Sequence, residues 1–258
     1  MYKRQTQTYG DDTTAPPVLI VHGLFGSGRN WGVIAKRLSD TRRVVTVDMR
    51  NHGASHWEDT HSYHDLAADL AEVVEAITAD TGRKADVIGH SMGGKGAMML
   101  GLDRPELVRR LLVADIAPVT YTHTQVHLVH AMRTLDLSAI ASRADADGIL
   151  SDAIEERDVR AFLLQSLDVR CRRWLLNLDV LERDMELITG FPAVAGRFDG
   201  PALFLAGARS DYVLPQHRPI ILRLFPNARQ AKIPGAGHWL HAEKPREFEA
   251  AIRVFLGN

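Results

Sequence analysis

The sequence predicts an α/β protein: a mostly parallel sheet flanked by helices, with a helical segment inserted before the last two strands. Three observations predict it. Short β-branched runs alternate with longer segments of helical period. Most of the short runs are apolar throughout, as strands covered by helices on both faces require. The alternation stops between Pro118 and about Gly200, where the chain is helical and charged, and resumes at Gly200-Pro201.

The elements follow in order. Residues 2–9 read as one antiparallel edge strand. Residues 17–22 (PVLIVH), 43–48 (RVVTVD), 85–89 (ADVIG), 108–115 (VRRLLVAD), 202–206 (ALFLA) and 228–233 (ARQAKI) read as the other strands. Helical patterns occupy residues 31–38, 63–79, 92–102, 215–224 and 246–256. In the second of these, Leu66, Leu70, Val73, Val74 and Ile77 form one stripe, which packs on a sheet. Residues 119–198 hold no strand pattern and are expected to form an all-helical cap. Residues 1–118 plus 199–258 then make the core. A cap in that place covers the edge at which open α/β sheets bind ligands.

Composition narrows the function. The chain has 258 residues, with 31 Lys+Arg against 32 Asp+Glu, a formal charge of -1. That length suits one domain carrying a subdomain. The absence of basic excess argues against nucleic-acid and membrane-surface partners. The single cysteine, Cys171, excludes an internal disulfide and a Cys-rich zinc module. No apolar run reaches membrane-span length, and the N-terminal MYKRQTQTYGDD lacks a signal-peptide core. A cytoplasmic protein acting on a small molecule is expected, with no cofactor and no metal. Composition carries nothing on oligomeric state.

The strongest local signal is Gly89-His90-Ser91-Met92-Gly93, a G-x-S-x-G directly after a strand and before a helix. Such a turn lifts a serine hydroxyl above the sheet, where the helix N-terminus favours developing negative charge. Its base is expected to be His238, in Pro234-Gly235-Ala236-Gly237-His238, after the last strand. A serine followed by a histidine near the C-terminus is the α/β-hydrolase order, not that of chymotrypsin or subtilisin. An oxyanion needs two fixed N–H donors. Met92, just after the serine, is one, and Leu24, in His22-Gly23-Leu24-Phe25-Gly26 after the first parallel strand, is the other. His22 is expected to brace that loop. Two aspartates compete for the acid. Gly207-Ala208-Arg209-Ser210-Asp211 puts serine where a G-x-x-D pattern puts the acid, with Asp211 one residue late. Asp115 ends the strand after the serine's helix, 24 residues on. Spacing alone leaves both open.

The stretches HGLFGSGRNW (22–31), DMRNHGASH (48–56), GHSMGGK (89–95), ADIAPV (114–119), WLLNLDVL (174–181) and GAGHWLHAEKP (235–245) run nearly end to end. Through them the chain resembles the α/β hydrolases of the bacterial YbfF-type esterases and their mitochondrial relatives. The resemblance implies an α/β-hydrolase fold and a carboxylesterase acting on short or medium acyl esters, with thioesters as a second class. It also implies that Asp115 is the acid, although this chain retains Asp211. Serine in the elbow removes dehalogenase and epoxide-hydrolase readings, which need aspartate there. The alternatives are C–C bond hydrolysis or perhydrolysis on the same fold, or a non-catalytic small-molecule receptor. The intact Ser91, His238 and two aspartates weigh against the receptor.

Other features have duller readings. His123, His127 and His130 share i, i+4, i+7 spacing, but no carboxylate or cysteine completes a metal set. Arg170, Arg172 and Arg173 read as a solvated face. Phe162, Leu163 and Trp174 face either the acyl pocket or the cap's own core. Residues 48–53 (DMRNHG) are expected to form a hydrogen-bonded loop beneath the site, without a catalytic role.

Overall fold

A computed structural model describes residues 4–257. In chain order the strands are β1 (Thr6–Tyr9), β2 (Val18–Val21), β3 (Val44–Val47), β4 (Ala85–His90), β5 (Val108–Ala114), β6 (Leu167–Asp168), β7 (Arg173–Trp174), β8 (Ala202–Gly207) and β9 (Ala228–Ile233). The helices before the insertion are α1 (Gly32–Leu38), α2 (Tyr63–Thr81) and α3 (Met92–Asp103). Those within it are α4 (Val126–Arg133), α5 (Arg143–Leu150), α6 (Arg157–Leu163), α7 (Leu178–Arg183) and α8 (Met185–Thr189). After it come α9 (Arg218–Leu224), α10 (Leu240–Glu243) and α11 (Pro245–Leu256).

Seven strands form one sheet in the order β1-β3-β2-β4-β5-β8-β9. β1 pairs antiparallel with β3, and every other pairing is parallel. β2 shows why its run is apolar throughout. Leu19 and Val21 enter the core that includes α2 and α3, whereas Val18 and Ile20 enter the one that includes α1 and α11. The edge strand expected over residues 2–9 is seen as Thr6–Tyr9; Tyr2 and Lys3 lie outside the described residues.

Parallel order brings the C-terminal ends of β2, β4, β5, β8 and β9 to a single edge. The loops that leave it carry residues 22–26, 91, 115, 208–212 and 234–239. Between β5 and β8 the chain supplies α4–α8 and one small hairpin, β6–β7. That hairpin corrects the all-helical expectation. Its arms are two residues long, too short to show alternation, and Arg172 turns the chain at φ 51°. The insertion is stitched to the core by an antiparallel bridge between His52 and Leu176, flanked by Gly53 N–H to Leu175 O (2.8 Å) and Asn177 N–H to Asn51 O (3.0 Å).

Candidate active site

Ser91 stands alone between β4 and α3, at φ 52° and ψ -122°. A non-glycine residue held there is strained and persists only where its surroundings over-determine it. The flanking glycines explain how. A Cβ on Gly89 would lie 2.4 Å from Gly93 O, and one on Gly93 would lie 2.3 Å from His22 O. Strand and helix close on the serine only because both side chains are absent.

Three of the residues picked from sequence form one hydrogen-bonded chain. Ser91 Oγ lies 3.1 Å from His238 Nε2, and His238 Nδ1 lies 2.7 Å from Asp115 Oδ2. Asp115 is fully buried, and its carboxylate also accepts the Gly207 N–H (2.8 Å, to Oδ1) and the Ser210 hydroxyl (to Oδ2). A carboxylate facing Nδ1 fixes the proton there and leaves Nε2 able to accept from the serine. Asp211 is exposed, outside this chain of contacts. The register explains the choice. β5 lies between β4 and β8, so the residue after β5 emerges beside the serine's strand, with its N–H bonded to Leu205 O at 2.9 Å.

The loop after β2 faces the serine. Gly26 N–H bonds to Gly23 O (3.0 Å) and Phe25 N–H to His52 Nε2 (3.1 Å), whereas Leu24 N–H has no acceptor among the described residues. Met92 N–H opens α3, a position without an intrahelical acceptor. His22 braces the loop as expected, donating from Nδ1 to Gly23 O (2.8 Å) and accepting Met49 N–H at Nε2 (3.0 Å). The 48–53 loop is indeed densely bonded: Asp48 accepts from Gly28 N–H (2.7 Å) and Ala54 N–H (2.8 Å).

These groups open on a cavity of about 120 Å³ lined by Leu24, Ser91, Met92, Leu128, Val159, Phe162, Leu163, Ile188 and His238, among others. Phe162 and Leu163 therefore face it. Trp174 does not: it is buried in the insertion, with Nε1–H donating to Met132 O at 3.0 Å. The histidine triplet separates too. α4 starts only at Val126, so His123 precedes the helix and packs on Tyr212, while His130 pairs with Glu182. Arg170, Arg172 and Arg173 are exposed, as is Cys171.

Residues 18–251 match the alpha/beta hydrolase family. The chain belongs to that family. This hydrolase is 41% identical over 256 residues to the sn-1-specific diacylglycerol lipase ABHD11 of Mus musculus, covering 95% of this chain and 82% of that one. It is 38% identical to the esterase YbfF of Escherichia coli strain K12, covering 98% of each. A solved structure, titled a marine microorganism esterase, superposes with a TM-score of 0.90 at 35% identity, covering 99% of this chain and 100% of that one. The expectation of an ester-acting hydrolase on an α/β-hydrolase fold is met.

Four residues of this hydrolase escaped the sequence reading. Ser210 occupies the usual acid position and donates to Asp115 instead. His90 donates from Nε2 to His238 O (2.9 Å), anchoring the histidine's loop; burial keeps that ring neutral, its pKa held well below the ordinary value. Tyr212 stacks on the His238 ring, with centroids 4.0 Å apart. Lys95 is buried, and burial pulls its pKa down to about 7. Its ammonium reaches Thr189 O (2.9 Å) and Gly190 O (2.5 Å), tying α3 to the end of α8. Ser210 stood in the Gly207–Asp211 stretch and His90 and Lys95 in GHSMGGK, but without a role; Tyr212 gave no signal.

Proposed function

We propose that the protein is a serine carboxylesterase in which Ser91 is the nucleophile, His238 the base and Asp115 the orienting acid, with Leu24 and Met92 N–H groups holding the oxyanion. The observation that supports this most is the unbroken contact from Ser91 Oγ through both ring nitrogens of His238 to a fully buried Asp115. His238 Nε2 takes the serine proton as Oγ attacks the acyl carbon. The tetrahedral oxyanion then lies against the two N–H donors. Collapse expels the alcohol, which takes its proton from His238, and leaves an acyl-enzyme. His238 next deprotonates a water that attacks the ester carbon, and the carboxylic acid leaves with Ser91 restored. A thioester follows the same steps with a thiol leaving group. Asp115 stays ionised and stabilises the imidazolium.

Residues 119–198 act as a cap in this reading, since α4, α6 and α8 all supply cavity walls. Among the described residues no helix is long and apolar enough to cross a membrane; the reading places the enzyme in the cytoplasm, on small-molecule esters. A cavity of about 120 Å³ suits a short acyl group, since apolar cavities of similar order hold a benzene-sized ligand. Across p-nitrophenyl esters of graded length, kcat/KM is expected to peak at short chains and to vanish in Ser91→Ala. A rise toward long chains would contradict the pocket assignment, and activity surviving in Ser91→Ala would contradict the mechanism.

A further inference from the structure

The loop 48–53 is beneath the site, yet the mechanism above makes no use of it. One of its side chains touches the oxyanion loop directly. His52 is fully buried, and its Nδ1–H donates to Arg50 O at 2.9 Å, which leaves Nε2 as an acceptor. That acceptor receives the Phe25 N–H at 3.1 Å. Phe25 has φ 63°, a left-handed conformation that a residue with a side chain adopts only when held. Its carbonyl is held as well, accepting the Ser166 hydroxyl at 2.8 Å from the insertion. The two anchors are themselves joined, because Leu175 N–H bonds to Ser166 O (2.8 Å) while Leu175 O receives Gly53 N–H.

We propose that His52 is a positioning residue for the oxyanion hole: with Ser166 it holds Phe25 by both its N–H and its carbonyl, on either side of the Cα, and so fixes the preceding Leu24 N–H at the cavity. The inference rests on the reading of Leu24 as an oxyanion donor. His52 touches no reacting atom; it acts through Phe25. Burial, followed by the neighbouring His22 and His61, holds the His52 pKa well below its ordinary value, so the ring stays neutral and keeps its acceptor. The clamp also gives the insertion a part in catalysis beyond lining the cavity. Ser166 holds the Phe25 carbonyl as His52 holds its N–H, and Leu175 ties Ser166 to Gly53, the residue after His52.

The test compares His52→Leu, His52→Gln and Ser166→Ala with wild type. It measures kcat and KM for a short p-nitrophenyl ester and inhibition by an alkyl boronic acid, which forms a tetrahedral adduct in the hole, and by the product carboxylate. Removing an oxyanion donor outright costs about 100- to 1000-fold in kcat. Loosening one should cost His52→Leu roughly 100-fold, with boronate affinity falling in parallel and KM and product affinity within about three-fold. Glutamine restores an acceptor and should recover at least about ten-fold of the loss; Ser166→Ala should lose about five-fold with the same pattern. Folded His52→Leu with wild-type kcat, or a loss shared equally by product binding, overturns the inference. If His52→Leu fails to fold, Ser166→Ala decides, and an unchanged kcat overturns it. Ser91→Ala is run alongside: activity persisting there would instead sink the nucleophile assignment.

Discussion

Asp115→Asn should lower kcat by about 10⁴-fold while leaving the fold intact. An asparagine can turn its amide N–H toward His238 Nδ1, which moves the ring proton to Nε2, where it faces the Ser91 hydroxyl and cannot accept from it. With the NH2 at the Oδ2 position, the amide oxygen stays at Oδ1, where Gly207 N–H still donates, and the Ser210 hydroxyl can rotate to accept from the amide, which keeps the side chain in place. Asp211→Asn should change kcat less than about two-fold, since Asp211 is an exposed side chain away from His238, and neutral surface changes are usually small. Steady-state kinetics on the two purified variants, with circular dichroism to confirm folding, separate the roles. Loss of orders of magnitude in Asp211→Asn alone would reassign the acid.

The second large effect is on stability. His22, His52 and His61 are buried, and each presents an acceptor nitrogen to an N–H donor: Met49 N–H, Phe25 N–H and the Asn51 side-chain amide. Protonating any of them sets donor against donor in a buried site. Burial lowers all three pKa values; that of His61 falls to about 3, with the Arg50 charge adding to burial. The sign follows from proton counts. Below the free-histidine value of about 6.5 the unfolded chain binds protons that the folded chain refuses. Stability is therefore full above that value and drains away as pH falls toward about 3, where His61 titrates in the fold. His61 alone costs about 2 kcal/mol by pH 5, and His22, His52 and His90 act in the same sense. Against a total of roughly 5–15 kcal/mol for a domain, the urea midpoint should fall steeply between pH 7 and 5. Equal midpoints at the two pH values would contradict the buried neutral cluster.

The six parallel strands were legible almost to the residue. β2, β3, β4 and β8 are short, largely apolar runs buried along their whole length, and β5 is buried over its last four residues. Only β9, at the sheet edge with Arg229 and Lys232 exposed, lacks that character. The elbow was legible because its geometry is local: five consecutive residues make the turn. What the sequence withheld depends on register and on loops meeting. Ser210 reaches Asp115 only because β8 pairs with β5. His52 reaches Phe25 only because β2 and β3 are neighbours whose loops leave the same edge. The choice between Asp115 and Asp211 turned on the same fact, so spacing left it open and strand order resolved the geometry. The β6–β7 hairpin left no trace because a two-residue arm has no period.

Covalent labelling tests the central proposal most directly. Wild-type enzyme is treated with an alkyl fluorophosphonate, which needs a serine activated by its histidine, and the intact mass and peptide map are read. The expected result is one adduct per chain, carried by Ser91 and absent from Ser91→Ala. An active wild-type enzyme that takes no label, or takes it on another residue, would contradict Ser91 as the nucleophile.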